Sequence, residues 1–494
     1  MPLHRCSSGR PTSCRSGPVL TYESATMANA FFLAIDNPGR SLMLSRVILV
    51  KLVLIAYLPA ALAQTVEPLA FEHVTIIDGT GHAPQAEMTV VLSDGKISMI
   101  GPDGTIDVPD SVLRIDASGK FLIPGMIDLH VHLMGGGLFK ASRAPTDQRI
   151  PDFDAGLRAL QGFLYYGFTS IFDAGNNPDF ILPLRDRERA GEIISPRIFA
   201  TGQTLTYPGS AVVGYGGIGV RDWPDTIQDI ELQLARKPDL QKLTYESRGY
   251  GPSPLVRRLP KQLMSRIIAY LHERNIRTVV HISNEKMAID AIEAGADTLA
   301  HAPHAGLINQ SFADLVAARK IPVLTSMAVH WEIAQMVEDI GVLHTPEYQA
   351  TVAPEDLVLL ESARDRYIKA GYGSYFRLVH DYERQNLKMI HDAGGILALA
   401  SDRTFGPAAL TELELVVAAG ITPLEVIKIA TLNAAIFLGK EDELGSIQVG
   451  KLADLVVLNA DPSSDIRNVK QIDSVIKGGV IIDRQKLDLP VNQP

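Results

Sequence analysis

Two histidines separated by one residue close an apolar run, Phe121-Leu-Ile-Pro-Gly-Met-Ile-Asp-Leu-His-Val-His-Leu133. On a strand, residues i and i+2 share a face, so His130 and His132 project together from the strand's end. Two co-facial imidazole nitrogens make half of a metal site. A lone His-x-His is more often one satisfied and one exposed histidine, so the other strand ends decide.

Four further polar residues close apolar segments. Lys242 lies in Asp239-Leu-Gln-Lys-Leu-Thr-Tyr245. A buried lysine is costly as a cation. Carbamylated by CO₂, it becomes an anionic oxygen ligand able to bridge two metals; the alternative is a lysine paired to a carboxylate. His281 closes Arg277-Thr-Val-Val-His281, and His301 closes Ala296-Asp-Thr-Leu-Ala-His301, a gap of 20 residues that holds one helix and one strand. Their ends are therefore spatial neighbours. His304 follows as a candidate substrate contact or an ordinary loop histidine. Asp402 closes Gly395-Ile-Leu-Ala-Leu-Ala-Ser-Asp402, where a carboxylate is either a helix N-cap or a functional group. Beyond Lys242, the loop Tyr245-Glu-Ser-Arg-Gly-Tyr-Gly251 offers Tyr245, Arg248 and Tyr250, an arginine–tyrosine set suited to a substrate carboxylate.

The elements that must position these groups alternate strand and helix from Ile123 onward. Strands are predicted at 126–133, 168–172, 197–201, 240–243, 278–282, 298–301, 321–326 and 396–401, with helices at 154–165, 260–274, 285–294 and 312–319 among those between them. Eight strands with intervening helices predict a (β/α)₈ TIM barrel, whose chemistry sits at the C-terminal ends of its strands. A doubly wound sheet is the alternative, but no Gly-rich nucleotide turn follows the first strand. After strand seven a long connection, from His330 to about Gly373, is a candidate lid or an interface for a homo-oligomer. Hairpin-like segments precede the barrel, and β-like segments, including Gly445–Gly450, follow the helical stretch 423–438. The simplest account is a small discontinuous β-sandwich domain built from both chain ends. The expected organisation is a leader at 1–63, sandwich parts at 64–122 and 441–494, and the barrel at 123–440.

The chain has 494 residues, 46% hydrophobic and 21% charged, with a formal net charge of −10. It has no basic run, which excludes nucleic acid as an expected partner. Arg46 and Lys51 precede an apolar run ending Ala61-Leu-Ala63, the form of a secretory signal with a small-x-small cleavage site. The run is too short to span a bilayer comfortably, so export to the periplasm or medium without stable membrane insertion is expected. Removing residues 1–63 takes away six basic and two acidic residues and leaves a net charge of −14. Both cysteines, Cys6 and Cys14, also go, so any metal must be held by nitrogen and oxygen.

With these residues in place the chain resembles the amidohydrolase superfamily of metal-dependent hydrolases over about residues 68–485. The resemblance rests on Pro124-Gly-Met-Ile-Asp-Leu-His-Val-His132, on Ala430-Thr-Leu-Asn-Ala-Ala-Ile-Phe-Leu-Gly439, and on Gly445-Ser-Ile-Gln-Val-Gly-Lys-Leu-Ala-Asp-Leu-Val-Val-Leu458. It is similar to the imidazolonepropionase-like and Xaa-Pro dipeptidase-like branch. Strand six reads Ala300-His-Ala302 in place of that branch's Glu-His-Gly, and strand eight Ala400-Ser-Asp402 in place of Gly-Thr-Asp. The resemblance implies two divalent metal ions, with zinc expected. His130, His132 and Asp402 would hold one, His281 and His301 the other, and carbamylated Lys242 would bridge them. It also implies a metal-activated hydroxide and Asp402 as general base, then acid. The expected substrate is a small-molecule amide: a dipeptide, an N-acyl amino acid, or an aryl amide of the ochratoxin type. Cyclic-amide or imidazolone hydrolysis and lactonase or phosphotriesterase-like hydrolysis are the rivals; a non-catalytic binding protein is disfavoured by the six candidate ligands. N-terminal sequencing of the exported protein should return Gln64, and a start upstream of residue 60 would overturn the cleavage expectation.

Overall fold

The computed structural model describes residues 67–133, 135, 150–210, 217–247 and 255–493. The predicted leader, Arg248 and Tyr250 lie outside the described residues.

The two chain ends meet in one eight-stranded sheet. Its strands are β1 (Leu69–Ile76), β2 (Gln85–Ser93), β3 (Lys96–Pro102), β4 (Leu113–Asp116) and β5 (Phe121–Pro124) from the N-terminal side. The C-terminal side adds β16 (Leu455–Leu458), β17 (Ile472–Lys477) and β18 (Val480–Ile481). The join is antiparallel, with Leu455 opposite Pro124 and Leu458 opposite Phe121. The predicted β-segment Gly445–Gly450 is turn instead, bonded back by Ile447 N–H to the Asp78 carbonyl at 3.0 Å. Its two glycines sit at φ 83° and 93°, which interrupts any ladder there.

Between these ends run β6 (Met126–Val131), β7 (Phe168–Asp173) and β8 (Arg197–Ala200), then β9 (Leu205–Thr206), β10 (Ile218–Gly219) and β11 (Gln241–Thr244). They are followed by β12 (Thr278–His281), β13 (Thr298–Ala300), β14 (Val323–Leu324) and β15 (Leu397–Ala398). All pairings among them are parallel, in two sheets, β6-β7-β8 and β10-β9-β11-β12-β13-β14-β15. Hydrogen bonds link the sheets on both sides. Leu129 N–H donates to Leu399 O at 3.0 Å, and Asp239 N–H donates to Ala200 O at 2.9 Å. The Lys242 amide donates to Thr201 Oγ1 at 2.8 Å. One apolar cluster draws on the eight expected strands, through Ile127, Leu129, Phe172, Phe199, Leu240, Val279, Ala300, Leu324 and Ala398. A second, larger cluster takes alternate residues such as Ile171, Ile198, Leu243, Val280 and Leu299 against the surrounding helices. This is a TIM-barrel-like α/β fold.

The helices start where side chains can cap them. Asp152 accepts from Ala155 N–H ahead of Phe153–Tyr165, and Asn284 accepts from Met287 N–H ahead of Glu285–Glu293. The stretch predicted as one helix from 423 breaks at Thr431 (φ −129°, ψ −88°) into Pro423–Ala430 and Leu432–Leu438. Thr431 Oγ1 donates to the Ile427 carbonyl, a bond that competes with the helical ladder. The long connection after β14 folds as helices, chiefly Ala328–Glu338 and Tyr372–Asp392, packed on each other.

Gly125 marks the passage from the end sheet into β6. A Cβ there would stand 2.0 Å from Thr169 Oγ1, so only glycine fits. Its N–H donates to the Asp454 carbonyl, while the buried Asp454 carboxylate accepts from Arg197 Nε at 2.6 Å and from Gly478 N–H at 2.7 Å. This one residue ties β16 to β8 and to the start of β6. Asp454→Ala strands Arg197 and should lower stability by about 3 kcal/mol in urea unfolding.

Candidate active site

Simple alternation would not bring the histidines together. Ile127 and Leu129 face the inner cluster, which by parity sends His130 outward. A register shift between Asp128 and Val131 in the β6–β7 pairing breaks that parity and re-aims His130 and His132 inward. At β13, Ala300 faces inward, and the unusual φ of 120° at His301 turns the next side chain toward the same space. Asp402 lies two residues beyond inward-facing Ala400 and has φ 52°. Strained backbone at two of the strand ends is a common mark of a functional site.

The result is one continuous cluster. His130 Nε2 and His132 Nε2 each stand 3.4 Å from Asp402 Oδ1, and His301 Nε2 stands 3.9 Å from Oδ2. Lys242 Nζ is 3.0 Å from His130 Nε2. The His281 and His301 rings lie 4.7 Å apart, and His301 and His130 4.8 Å apart. The structure thus brings His130, His132, Lys242, His281, His301 and Asp402 together, with His304 adjoining them at 5.8 Å from the His301 ring.

Neighbouring carboxylates hold the cluster in place. Asp128 accepts from Ser401 Oγ at 2.6 Å and from the amides of Ser401 and His130, which clasps strand eight to strand one. Asp173 accepts from Leu133 N–H, Gly175 N–H and Asn176 Nδ2. Burial pushes Asp128 up to about 6 and raises Asp173 as well. Burial acts on Asp402 in the same sense, yet His130, His132 and Lys242 overcome it and hold that carboxyl well below the usual range. Burial also drives His130 and His301 well below the ordinary histidine value and takes the Lys242 ammonium down to about 8.

These are conditions a divalent cation needs: neutral imidazoles at His130 and His301, an ionised carboxylate that raises the adjacent His132 against burial, and an amine able to lose its proton. One nitrogen or oxygen each from His130, His132 and Asp402 lies within 4.8 Å of the others. His132 Nδ1–H donates to the Gly175 carbonyl at 2.8 Å, which leaves Nε2 as the lone pair toward Asp402. The buried Nδ1 atoms of His130 and His301 find no hydrogen-bond partner among the described residues, so the protein alone does not close the site's polar demand. The donor set fits a metal.

Tyr245 does not take the substrate-facing place expected of it. It is buried, its hydroxyl donates to Asp290 at 3.1 Å, and Arg258 lies over its ring. Three residues from inward-facing Lys242, it falls on the helix side of the strand. Glu246, four from Lys242, is the residue that reaches the cluster, with Oε2 3.5 Å from His281 Nε2. Strand parity was the signal for it. His330 and Glu383, on the two insertion helices, also adjoin the site, the His330 ring lying 4.9 Å from that of His304. Nothing in sequence spacing pairs those two.

A family model described as the amidohydrolase family matches residues 121–482. Ochratoxinase from Aspergillus niger is 25% identical over 454 residues, spanning 82% of this chain and 84% of that protein. Its crystal structure aligns with a TM-score of 0.67 at 19% identity, covering 84% and 95% of the two chains. Imidazolonepropionase from Streptococcus pyogenes serotype M6 is 24% identical over 392 residues, 75% of this chain and 83% of its own. The structure of a Xaa-Pro dipeptidase with methionine bound in its active site gives a TM-score of 0.65 at 22% identity, covering 84% and 99%.

Lys242 gives the cluster a measurable signature. An unfolded lysine keeps its proton to about 10.5, the buried one only to about 8, so the unfolded chain binds the extra proton between these values. Stability of the metal-free protein should therefore rise from pH 8 to pH 10.5, by on the order of 3 kcal/mol in all. In Lys242→Met that rise should vanish, and the variant should be the more stable of the two at pH 7 in denaturant titrations.

Proposed function

The chain belongs to the amidohydrolase family, and from that premise we propose that it cleaves the amide bond of a dipeptide, an N-acyl amino acid or a similar aryl amide, using two divalent metal ions. It is a hydrolase acting on carbon–nitrogen bonds. The observation that carries the finer reading is the convergence of His130, His132, Lys242, His281, His301 and Asp402, with an ionised carboxylate beside the neutral imidazoles of His130 and His301. In this reading His130, His132 and Asp402 would hold one ion and His281 and His301 the other, with carbamylated Lys242 as the ligand the two would share. Zinc is the ion that best suits this nitrogen-and-oxygen set. Eight of the ten parallel strands are read as a closed barrel and the sheet of the two ends as a sandwich domain, with boundaries near residues 122 and 440.

When bound, the metals supply Lewis acidity, lowering the pKa of water and polarising the scissile carbonyl. The chain's own residues do the rest. Asp402, held ionised by His130 and His132, takes the proton of the attacking water and delivers it to the leaving nitrogen. Asp128 and Asp173 keep the first strand's histidines and strand eight in register while the proton moves. His304, beside His301, faces the bound molecule. Arg46 and Lys51 ahead of the apolar run and the small-x-small site at Ala61–Ala63 support export with cleavage near Ala63, and the insertion supports assembly with a second copy. Among the described residues no helix is long and apolar enough to cross a membrane.

Imidazolonepropionase among the relatives supports a second reading, hydrolysis of a cyclic amide; a single ion with unmodified Lys242 would mark it. Metal analysis of the purified protein, with a panel of dipeptides, N-acyl amino acids, cyclic amides and lactones, separates the two. Asp402→Asn should lower kcat on the preferred amide by roughly 10²–10⁴-fold with the fold retained. Lys242→Ala should lose about one metal ion per chain. A fully active Asp402→Asn variant, or unchanged metal content in Lys242→Ala, would overturn the assigned roles.

A further inference from the structure

A cavity of about 580 Å³, a volume suited to a small molecule, has a lining that includes none of the six converging residues. Its walls are Tyr207 and Pro208 after β9, Arg221 after β10, and Leu255, Val256 and Arg257 between β11 and the helix Lys261–His272. Because β9, β10 and β11 run parallel, these residues gather past the strands' C-terminal ends, on the face that carries the chemistry. Hydrogen bonds join this wall to the cluster. Val256 N–H donates to the Ser247 carbonyl at 2.9 Å, and Ser247 N–H donates to Glu246 Oε1 at 2.6 Å. Glu246 Oε2 in turn stands 3.5 Å from His281 Nε2.

The charge of the cavity is one-sided. Arg221 and Arg257 line it, and no aspartate or glutamate does. Among the described residues neither arginine holds a carboxylate, although the chain carries 56 acidic residues against 46 basic ones. Arg197, Arg236 and Arg274, by contrast, pair with Asp454, Asp179 and Glu231, and Arg258 lies over the Tyr245 ring. A cavity with two uncompensated guanidiniums favours a ligand that brings two negative charges. A single carboxylate is matched by the fork of one arginine and leaves the other unanswered. A phosphate monoester carries about −1.5 to −2 charge at pH 7 and three acceptor oxygens, enough to engage both forks. Pro208, Val256 and Leu255, the last 77% exposed, give apolar surface to the body that bears the phosphate.

We propose that this cavity binds a phosphorylated small molecule, its dianionic head held by Arg221 and Arg257 and its organic body against Val256 and Leu255. The site goes beyond the amide reading and does not depend on it, because binding rather than hydrolysis reports it.

The test is calorimetric titration of the metal-loaded protein with phenyl phosphate, with benzoate as a singly charged counterpart, and with inorganic phosphate. Phenyl phosphate should bind at the cavity at least about tenfold more tightly than benzoate. Arg221→Gln and Arg257→Gln should each weaken phenyl phosphate by about fivefold or more and benzoate by less than about twofold. Neither arginine belongs to the metal cluster, so both variants should keep the wild-type metal content. Phosphate bound at the metals is common to all three proteins, and calorimetry resolves that event from the one the variants remove. Phenyl phosphate binding that is unchanged in both variants, or weakened no more than benzoate, overturns the proposal. Inorganic phosphate should bind more weakly than phenyl phosphate; equal affinity with the same arginine dependence would make free phosphate the ligand and overturn the place given to the organic body. A protein that hydrolyses no amide yet shows the arginine-dependent binding refutes the amide reading and sustains the cavity.

Discussion

Asp402 carries its charge in a place where a carboxylate would ordinarily be driven to take up a proton. It stays ionised because two imidazole nitrogens stand 3.4 Å from the same oxygen and a lysine lies behind them. The dependence is mutual. Asp402 in turn pulls His130, His132 and Lys242 upward against burial, which nonetheless keeps His130 and His301 well below the ordinary histidine value. One carboxylate therefore opposes the proton loss that burial imposes on three of its neighbours. Its position is fixed through the backbone as well: Arg403 O accepts from His132 N–H at 3.1 Å, and Asp128 clasps Ser401. Strand one and strand eight are held as a single unit by the groups that hold the charge.

Bringing these groups together works against regular strand geometry. A register shift in β6, φ 120° at His301 and φ 52° at Asp402 each depart from the pleat, the two positive-φ residues at roughly 1–3 kcal/mol apiece. The inner apolar cluster, fed by all eight expected strands, and the bonds of Asp128, Asp173 and Thr201 are what make such departures tolerable. The scaffold is regular below the site and irregular only where the side chains converge. Stability resides in the first part and chemistry in the second.

This division also explains what the sequence discloses. Apolar runs ending in His, Lys or Asp are local patterns, so His130, His132, Lys242, His281, His301 and Asp402 are legible from the chain alone, as is the order of strands. Tyr245 misleads because a residue's type was weighed without its parity: three positions from Lys242 it must turn to the helices, where Asp290 takes its hydroxyl. Glu246 was within reach of the same parity rule. The break at Thr431 and the turn at Gly445–Gly450 depend on a side-chain bond and on positive-φ glycines, which hydropathy does not register. His330 and Glu383 are 53 residues apart on different helices, and only their packing makes them a pair.

The insertion adds a second layer of buried polar groups to the first. Glu332, from the same helix as His330, pairs with Arg403 and accepts from the Tyr348 hydroxyl, while Glu412 caps that helix by accepting from Met327 N–H at 3.1 Å. Arg403 directly follows Asp402, so the insertion grips the very turn that carries the central carboxylate. Six ligand-type residues at strand ends can prepare an amide for attack, but they carry little information about which amide arrives.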